Sequence, residues 1–554
     1  MDDAGIIDDG ALYVSSGVIL AVQSRNAPPP HGFDVRAAIN VESGGSIFPG
    51  LIELHNHRAY NVLSMEIADQ RYSNRDQWRP SPANNWLGSP TYNELVATPM
   101  LRLKNAVPAA GPAVATYVDT KAVIAGTTTT QGIPIWDQTI KDYTYLPSLI
   151  RSVELTGDTR LPIADSRVDD VDSFPYTAQA HPLTALQFLG ALTTAPGSYL
   201  LHLCEGNNAT ELTGGIVPAR EHFDCLKIRT GLTSYKWALT SRLAGVHCLA
   251  LNAADFAVLA TYKASVVWSP LSNYVLYGAT ADIRSAKKAG VRIGLGADWS
   301  VSGSKNLFGE MKVARAVSDY ENIGFTDQDI VAMATINAAK ILGWDLYLGS
   351  LRAGKLADII ILDGVEGDPY YQLLSSPETS ITLVAVGGNA LFGSQGLMKQ
   401  CEASGEGIFV GSDIRVVALR DPTLTVAEAA ATIRGVLNSP EPYVPSPGQP
   451  GVPTPVGPGV PIAGPAWDLH LPELSGIRSV QGLEGSNIAT GDVVSPALKF
   501  SSLSPVTHSF PPLEYSWRLD PLAVASDDQY FASLEKQPNL PSELKEGIRL
   551  LYGP

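Results

Sequence analysis

Hydrophobic and polar positions alternate in two different ways along the chain. Residues 11–23 form two short β-rich runs that turn at Ser16-Gly17, and a similar apolar run covers 356–362. From about residue 236, short β-branched runs alternate with helical segments instead. Buried strands that alternate with helices are typical of parallel βαβ units. Repeated over roughly 300 residues, such units predict an α/β fold of the TIM type, a (β/α)8 barrel.

Several elements of this region can be bounded from the pattern alone. The strands are predicted at 127–131, 244–249, 265–268 and 291–296, and the helices at 253–263 and 281–289. A later helix is predicted at 423–437, and a short helix begins near Pro541. These bounds place a polar residue at or just after the end of several predicted strands.

The same pattern predicts the division into domains. We expect a small composite β-sandwich from 1–48 and 345–420, the barrel at 49–344, and a helix at 421–438. Ten prolines make 439–465 a polyproline-like linker, and 466–554 is expected to be a C-terminal tail packed on the body. The insertion at 61–112 follows the first barrel strand and is predicted to form a lid.

Composition narrows the possible classes of protein. Of 554 residues, 45% are hydrophobic, which excludes global disorder. The 39 basic residues against 55 acidic ones give a net charge of −16, so nucleic-acid binding is not expected to be the main task. No apolar run reaches the ~18 residues of a membrane span. The acidic start and four cysteines without a CxxC pair favour the cytoplasm and exclude a cysteine zinc finger.

The placement of nine histidines gives the first chemical indication. An apolar segment from Ile47 ends in His55-Asn56-His57. Alternation along a strand puts His55 and His57 on one face, about 6–7 Å apart. Two imidazoles at the C-terminal end of a barrel strand can hold one metal ion. The alternative is a His-x-His that occurs by chance on a loop.

Three further predicted strands end in side chains of the same kind. One carries His202 with Glu205 just beyond it, the next ends at His247, and a later one ends at Asp298. Any one of these could be an ordinary core or loop residue. Because the C-terminal ends of parallel strands meet at one face of a barrel, the set together predicts a single metal centre.

At this point the pattern resembles the amidohydrolase superfamily, in the branch of cytosine deaminase, guanine deaminase and triazine hydrolases. The similarity spans about residues 10–400 as an ordered set of segments. These are Pro49 to His57, His202-Leu203-Cys204-Glu205-Gly206, Gly245-Val246-His247, Trp268-Ser269-Pro270-Leu271-Ser272-Asn273, Gly296-Ala297-Asp298, Thr335-Ile336-Asn337-Ala338-Ala339 and Gly354-Lys355-Leu356-Ala357-Asp358.

The resemblance implies that His55, His57, His202 and Asp298 bind one divalent ion. Zinc is expected, although three imidazoles and a carboxylate also suit iron or manganese. Two-metal relatives use a lysine on a middle strand, but Lys121 here precedes the predicted second strand, in a helix. We therefore expect a single ion.

The resemblance also implies roles in catalysis. Asp298 accepts the proton of an attacking water in addition to its role as a ligand. His247 orients the water and the developing oxyanion, or is a further metal ligand. Glu205 carries a proton to the leaving nitrogen, or is only a solvated carboxylate at the start of a loop. Cys204 is expected to be buried and inert rather than nucleophilic.

The substrate pocket is less well specified. Tyr60, Asn61, Trp136, Trp268 and Trp299 lie beside predicted strand ends and either contact the substrate or pack at the rim. Relatives often have His-Cys-Pro where this chain has Trp268-Ser269-Pro270, at a strand end that faces the pocket. This departure leaves the identity of the substrate open.

The predicted function is that of a metal-dependent hydrolase acting on an amide, a cyclic amidine or an aminoheterocycle of a small molecule. A catalytically silent scaffold or binding protein of the same fold is the main alternative. A small-molecule binding module built from the Pro-rich tail is another. Relatives are often oligomers, which leaves a homo-oligomer open.

Overall fold

The computed structural model describes residues 5–79, 88–132, 149–167, 184–207, 218–365, 367–419, 421, 423–439 and 517–553. Trp136, nearly all of the predicted Pro-rich linker and the first part of the predicted C-terminal tail lie outside the described residues. Among the described residues, no helix is both long enough and apolar enough to cross a membrane.

Parallel strands make up the centre of the molecule. In chain order they are β1 (Leu51–Glu53), β2 (Thr127–Thr130), β3 (Arg151–Ser152), β4 (Asp165–Arg167), β5 (Tyr199–Leu203), β6 (Leu243–His247), β7 (Ser265–Trp268) and β8 (Arg292–Leu295). Strands β1 to β3 form one sheet, and β4 to β8 form a second. Every pairing within the two sheets is parallel. The chain is therefore an α/β protein with parallel sheets, as the alternating pattern predicts.

Main-chain hydrogen bonds also join the two parallel sheets to each other. Leu54 N donates to Leu295 O over 3.1 Å, which connects the ends of β1 and β8. On the other side, Ala164 N donates to Val153 O over 2.9 Å, which connects the segments beside β3 and β4.

Successive strand positions enter two different apolar cores. Leu200 and Val267 pack together with Ile52 in one core. Val266, the neighbour of Val267, packs instead with the helix residue Phe256 in the other. This alternation follows from the two faces of a strand, and it explains why every residue of β5, β6 and β7 is buried.

Helices follow most of the strands. The α-helices are Pro90–Tyr92, Thr98–Asn105, Val107–Ile124, Ala185–Thr194, Glu221–Asp224, Ala253–Thr261, Pro270–Tyr277, Ile283–Ala289, Leu307–Tyr320, Asp327–Met333, Ile336–Leu342, Pro369–Ser375, Gln395–Gln400, Val426–Leu437, Tyr530–Glu535 and Ser542–Leu550. A π-helical turn covers Asn93–Ala97, and 3-10 turns cover Arg58–Val62, Arg75–Gln77, Glu378–Ser380 and Val524–Ser526. Local signals set several ends. Asn252 and Asp255 form a capping box at the start of Ala253–Thr261, and Gly290 ends Ile283–Ala289 in the left-handed conformation.

Antiparallel strands lie on either side of the parallel region in the sequence. Six of them form one sheet in the spatial order Glu406–Val410, Asp413–Val417, Asn389–Ser394, Ile381–Val386, Ile359–Asp363 and Gly45–Pro49. The N-terminal strand Gly45–Pro49 thus pairs with Ile359–Asp363, which follows the last parallel strand in the chain. Separate hairpins pair Gly10–Ser15 with Val18–Ser24, and Lys227–Arg229 with Tyr235–Trp237.

The described end of the chain, residues 517–553, lies against the helical and loop segments around β1. Leu519 forms a bridge with Leu63, and Asp520 N donates to Val62 O over 2.8 Å. Asp520 also pairs with the buried Lys121 and Lys305 side chains. This segment therefore contributes to the buried interior of the molecule.

Candidate metal centre

Four imidazoles and a carboxylate converge where β1, β5, β6 and β8 end, and we call them the imidazole cluster: His55, His57, His202, His247 and Asp298. The ring centroids of His55 and His202 are 4.6 Å apart, and those of His55 and His57 are 5.0 Å apart. His247 lies 5.1 Å from His55 by the same measure. All five side chains are buried, with at most 9% of their surface exposed.

The nitrogen and oxygen atoms of the cluster are close enough to share one ion. His55 Nε2 lies 3.0 Å from Asp298 Oδ1, and His57 Nε2 lies 3.4 Å from the same oxygen. The candidate ligand atoms of His55, His57 and Asp298 lie within 4.8 Å of one another. Those of His55, His202 and His247 satisfy the same limit. The structure thus brings together every metal-ligating residue that the sequence predicts.

The backbone at these strand ends adopts an unusual conformation. His247 and Asp298 have φ angles of 66° and 67°, in the left-handed region that residues other than glycine rarely occupy. Gly296, two residues before Asp298, is so close to β1 that an added Cβ would lie 2.4 Å from His55 Cβ. Such strain is typical of functional sites, and here it turns the side chains at the strand ends toward one centre.

Two buried nitrogens of the cluster have no hydrogen-bond partner in the part of the chain that the structure describes. They are the Nε2 atoms of His55 and His247. His55 Nε2 is 3.0 Å from Asp298 Oδ1 without the alignment of a hydrogen bond. Buried polar atoms are costly to leave unsatisfied, so a ligand at this position is expected. Imidazole nitrogens with a carboxylate are the donor set of zinc and related divalent ions, and the residues therefore fit a metal.

The orientation of His247 leaves its Nε2 free for such a ligand. Its Nδ1 lies 2.9 Å from Asn273 Oδ1, and Asn273 Nδ2 donates to Thr280 Oγ1 over 3.2 Å. Because the amide oxygen can only accept, Nδ1 carries the proton of the neutral ring. The lone pair of Nε2 then faces the cluster.

Electrostatics favour the metal-binding form of His202, His247 and Asp298. Burial lowers the pKa of His202 well below its usual value, and the neighbouring imidazoles lower it further. Burial also lowers the pKa of His247. Burial alone would raise the pKa of Asp298, but His55 and His247 outweigh it and the pKa is lowered. Neutral imidazoles beside an ionised carboxylate are the protonation states that a metal ion requires.

Glu205 lies beside the cluster and is 3% exposed. Its Oε1 accepts a hydrogen bond from the Tyr277 hydroxyl over 2.7 Å. Its Oε2 lies 3.8 Å from His247 Nε2 and 3.5 Å from Arg75 Nη1. The alternative of a solvated carboxylate at the start of a loop is therefore wrong.

Of the predicted substrate residues that the structure describes, Tyr60 and Trp299 have rings beside His57. Their ring centroids are 6.3 Å and 6.0 Å from that of His57, and 5.4 Å from each other. Asn61 is buried and links two loops, because it donates to Asn56 Oδ1 and accepts from Ser300 N, each over 2.9 Å. It thus connects the segment after β1 with the segment after β8.

The prediction that Trp268 lines the pocket is not supported. Its side chain is fully buried, donates to Thr280 Oγ1 over 2.7 Å, and packs 6.5 Å from the ring of Phe325. Trp268 faces the same core as Val266, on the helix side of β7. Proximity to a strand end does not reveal which face a side chain takes, and here the alternation assigns it to the outer face.

Other predictions about the region have clear outcomes. Lys121 lies in the helix Val107–Ile124, ahead of β2 as predicted, and pairs with Asp520 rather than with any residue of the imidazole cluster. Cys204 is buried, and burial raises the pKa of its thiol, which fits an inert cysteine.

Sequence reasoning missed several residues of the site. Ser272 Oγ donates to Asp298 Oδ2 over 2.6 Å, although Ser272 belongs to a motif that the sequence singles out. Arg75 and Tyr277 lie beside Glu205, and Trp78 donates a hydrogen bond to Tyr277. The insertion that carries Arg75 and Trp78 has no periodicity from which their positions could be read.

Comparisons with known proteins agree with this geometry. Residues 202–391 match the model of the amidohydrolase family. A 5-methylthioadenosine/S-adenosylhomocysteine deaminase from Symbiobacterium thermophilum is 32% identical over 199 residues, which are 34% of this chain and 42% of that protein. An S-triazine hydrolase from Gordonia rubripertincta is 28% identical over 224 residues, which are 39% of this chain and 43% of the other. The matches thus span less than half the length of these curated relatives.

Solved structures resemble the fold over more of the chain. An adenosine deaminase from Xanthomonas campestris with bound zinc has a TM-score of 0.52 and 16% identity, covering 78% of this chain and 95% of that one. An atrazine chlorohydrolase from Arthrobacter aurescens complexed with zinc has a TM-score of 0.50 and 15% identity, covering 78% and 97%. At these identities the likeness shows a shared fold.

Proposed function

We propose that the chain is a member of the amidohydrolase superfamily, whose family model matches residues 202–391, and that it is a metal-dependent hydrolase that cleaves a carbon–nitrogen bond of a small molecule. The observation that carries the proposal is the convergence of four imidazoles and Asp298, with the buried Nε2 atoms of His55 and His247 left without hydrogen-bond partners among the described residues. A site built only for stability would satisfy these atoms within the chain.

We assign His55, His57, His202 and Asp298 as the residues that hold one divalent ion. When bound, such an ion lowers the pKa of a coordinated water from about 15.7 to about 7. The ion is zinc in this proposal, because the donor set suits it and the structural neighbours above carry zinc. Iron and manganese remain the alternatives for the metal analysis to decide.

The protein side chains would then move protons. Asp298 accepts the proton of the attacking water, while Ser272 holds its Oδ2. His247, fixed by Asn273, would accept a hydrogen bond from the attacking water at its Nε2 lone pair and so orient it. Glu205 would receive this proton from Asp298 and carry it to the leaving nitrogen, and His247 Nε2 lies near both carboxylates, 4.0 Å from Asp298 Oδ2 and 3.8 Å from Glu205 Oε2. The burial of Glu205 within 3.8 Å of His247 keeps this transfer away from bulk water.

The scaffold proposed for this site is a closed barrel. The hydrogen bonds from β1 to β8 and between the segments beside β3 and β4 support closure of all eight strands in chain order. The six-stranded sheet and the N-terminal hairpin would form the adjoining sandwich. This is supported by the bridge between Val18 and Leu356.

For the substrate, we propose an aminoheterocycle that stacks on the aromatic side of the site. Tyr60 and Trp299 lie next to His57 and are oriented edge-to-face to each other, with an interplanar angle of 65°. Planar rings suit aromatic contacts of this kind. The relatives are named as a 5-methylthioadenosine/S-adenosylhomocysteine deaminase and an S-triazine hydrolase, and the compounds in these names contain planar nitrogen heterocycles, which supports the same class here.

The test combines metal analysis with a substrate screen. The purified wild-type chain is expected to contain about one ion per molecule, and His55→Ala to lose both the ion and turnover. His31→Ala is the matched control, since His31 is an exposed histidine that belongs to neither group of candidate ligands. Ammonia release is measured on adenosine derivatives, nucleobases and aminotriazines. A metal-loaded wild-type chain that converts none of these would favour the catalytically silent alternative.

A further inference from the structure

Glu205 is held by a hydrogen-bonded chain that starts in the insertion after β1. Trp78 Nε1 donates to the Tyr277 hydroxyl over 3.0 Å, and this hydroxyl donates to Glu205 Oε1 over 2.7 Å. We propose that Tyr277 and Trp78 are positioning residues that fix the Glu205 carboxylate for proton transfer. The proposal rests on the proposed function, in which Glu205 carries the proton to the leaving group.

The chemistry of the three groups fixes the direction in which hydrogen bonds are donated, from Trp78 through Tyr277 to Glu205. An indole N–H can only donate, so it occupies a lone pair of the Tyr277 hydroxyl. The hydroxyl proton is then directed to Glu205 Oε1. Burial, together with the nearby charge of Glu205, raises the pKa of Tyr277 well above its usual value, so the phenol stays protonated and remains a donor. All three side chains are at most 3% exposed, so water does not compete for these bonds.

The hydrogen bond from Tyr277 gives the two carboxylate oxygens of Glu205 different surroundings. Oε1 is occupied by Tyr277, whereas Oε2 lies 3.8 Å from His247 Nε2 on the side of the imidazole cluster. Arg75 Nη1, 3.5 Å from Oε2, adds a positive charge on the same side. A carboxylate fixed at one oxygen cannot rotate freely about its last bond, so Oε2 is the atom that carries the proton.

The main chain ties the insertion to Glu205 at the same place. Asn207 N donates to Ser73 O over 2.8 Å, and Asn74 forms a bridge with Gly206. Gly206 has a φ of 148°, and an added Cβ would lie 2.5 Å from Ser73 O, so only glycine allows this approach. The docking of the insertion therefore sets the position of the Trp78 indole and, through Tyr277, the orientation of Glu205.

Turnover by the metal-loaded enzyme tests the positioning role. Tyr277→Phe removes only the hydroxyl, and we expect kcat to fall by about 10- to 100-fold, because misplacement of a catalytic group by about 1 Å can cost about 100-fold. KM and the metal content are expected to stay unchanged. Trp78→Phe lowers kcat less, and it adds nothing in the Tyr277→Phe background, since it acts through that hydroxyl. Tyr274→Phe is the control, because Tyr274 lies on the same helix but bonds to Glu321.

A second measurement needs no substrate. In metal-loaded protein labelled with 15N-tryptophan, Glu205→Gln is expected to shift the Trp78 indole N–H resonance, and to leave it unshifted when Tyr277 is also changed to Phe. If no compound is turned over, the proposed hydrolase function fails, and this measurement still decides the linkage. An unchanged kcat in Tyr277→Phe, additive effects of the two substitutions, or an indole shift that persists without the hydroxyl would each overturn the proposal.

Discussion

Two of the buried polar clusters among the described residues satisfy their polar atoms in opposite ways. The imidazole cluster leaves two Nε2 atoms without partners among the described residues. The second cluster, which we call the lysine cluster, consists of Lys121, Lys305, Asp520 and Asp527. Lys305 Nζ donates to Asp520 over 2.6 Å and to Asp527 over 3.0 Å, and Lys121 pairs with the other oxygen of Asp520. All four of its side chains are at most 8% exposed.

The difference separates a structural polar cluster from a ligand site. In the lysine cluster, two cations meet two carboxylates, and the C-terminal segment supplies both anions. In the imidazole cluster, four imidazole rings surround one carboxylate, and no described residue gives a hydrogen-bond partner to the Nε2 atoms of His55 and His247. Both clusters are buried and both perturb pKa values, as the lowering of the Lys121 pKa to about 8 by burial shows. The supply of partners distinguishes the two clusters, whereas burial does not.

The largest expected effect on stability comes from breaking the lysine cluster. Asp520→Ala leaves Lys121 and Lys305 buried with too few anions, and removal of one partner of a buried pair costs about 3–5 kcal/mol. Denaturant unfolding at pH 7 measures this loss. Asp528→Ala is the control, since the Asp528 side chain is 87% exposed and its loss is expected to change stability by less than about 0.5 kcal/mol.

The same variant tests whether the two clusters are separate. We expect the folded fraction of Asp520→Ala to keep its full metal content, because no atom of Asp520 belongs to the imidazole cluster. A loss of metal as complete as that of His55→Ala would contradict the separation and would make the C-terminal segment part of the metal site.

The buried carboxyl of Glu310 is intermediate between the two clusters, because it has hydrogen-bond partners but these are neutral. Glu310 is fully buried, accepts from Leu271 N over 3.1 Å and from Ser304, and burial raises its pKa to about 8. The folded chain therefore binds this proton more tightly than the unfolded chain. Its stabilising contribution is present at pH below about 4.5 and is lost as the pH rises through about 8.

Glu310→Gln is expected to remove this dependence of stability on pH. The difference in unfolding free energy between the variant and the wild type should grow in favour of the variant between pH 5 and 8. Its size is on the order of 3 kcal/mol, because each pKa unit corresponds to about 1.36 kcal/mol. Thermal unfolding of the metal-loaded proteins across this range measures it. A difference that is constant with pH would show that Glu310 is already ionised in the folded chain.

Elements with strong periodicity were predictable from the sequence. Strand β7 has the predicted bounds, and the helix Ala253–Thr261 ends two residues earlier than predicted. The His-x-His pair, His202, His247 and Asp298 could be found because parallel strands bring their C-terminal ends together whatever the intervening chain does. The topology therefore sufficed to assemble the imidazole cluster, without knowledge of any single contact.

Contacts that depend on irregular segments could not be predicted in this way. Strands β3 and β4 are two and three residues long, too short to leave a pattern. Arg75 reaches Glu205, and Trp78 reaches Tyr277, from an insertion whose path no periodicity describes. Trp268 is a different case. Its position near the end of β7 suggests the pocket, but the alternation of side chains along the strand directs it to the helix side, where it packs against Phe325.

The smallest predicted effect concerns the tautomer of His247. It distinguishes His247, which orients the water in the proposal, from the residues of the imidazole cluster that bind the metal. Asn273→Ala removes the acceptor 2.9 Å from Nδ1, so the ring is no longer held with its Nε2 lone pair toward the cluster. Loss of such an outer partner typically costs about 10- to 100-fold. We expect this loss in kcat, measured by ammonia release, with metal content unchanged. Asn273→Asp keeps an acceptor and is expected to restore most of the activity. If metal affinity falls together with kcat, His247 is itself a ligand, and the ion is held by four imidazoles and Asp298 instead of three imidazoles and Asp298.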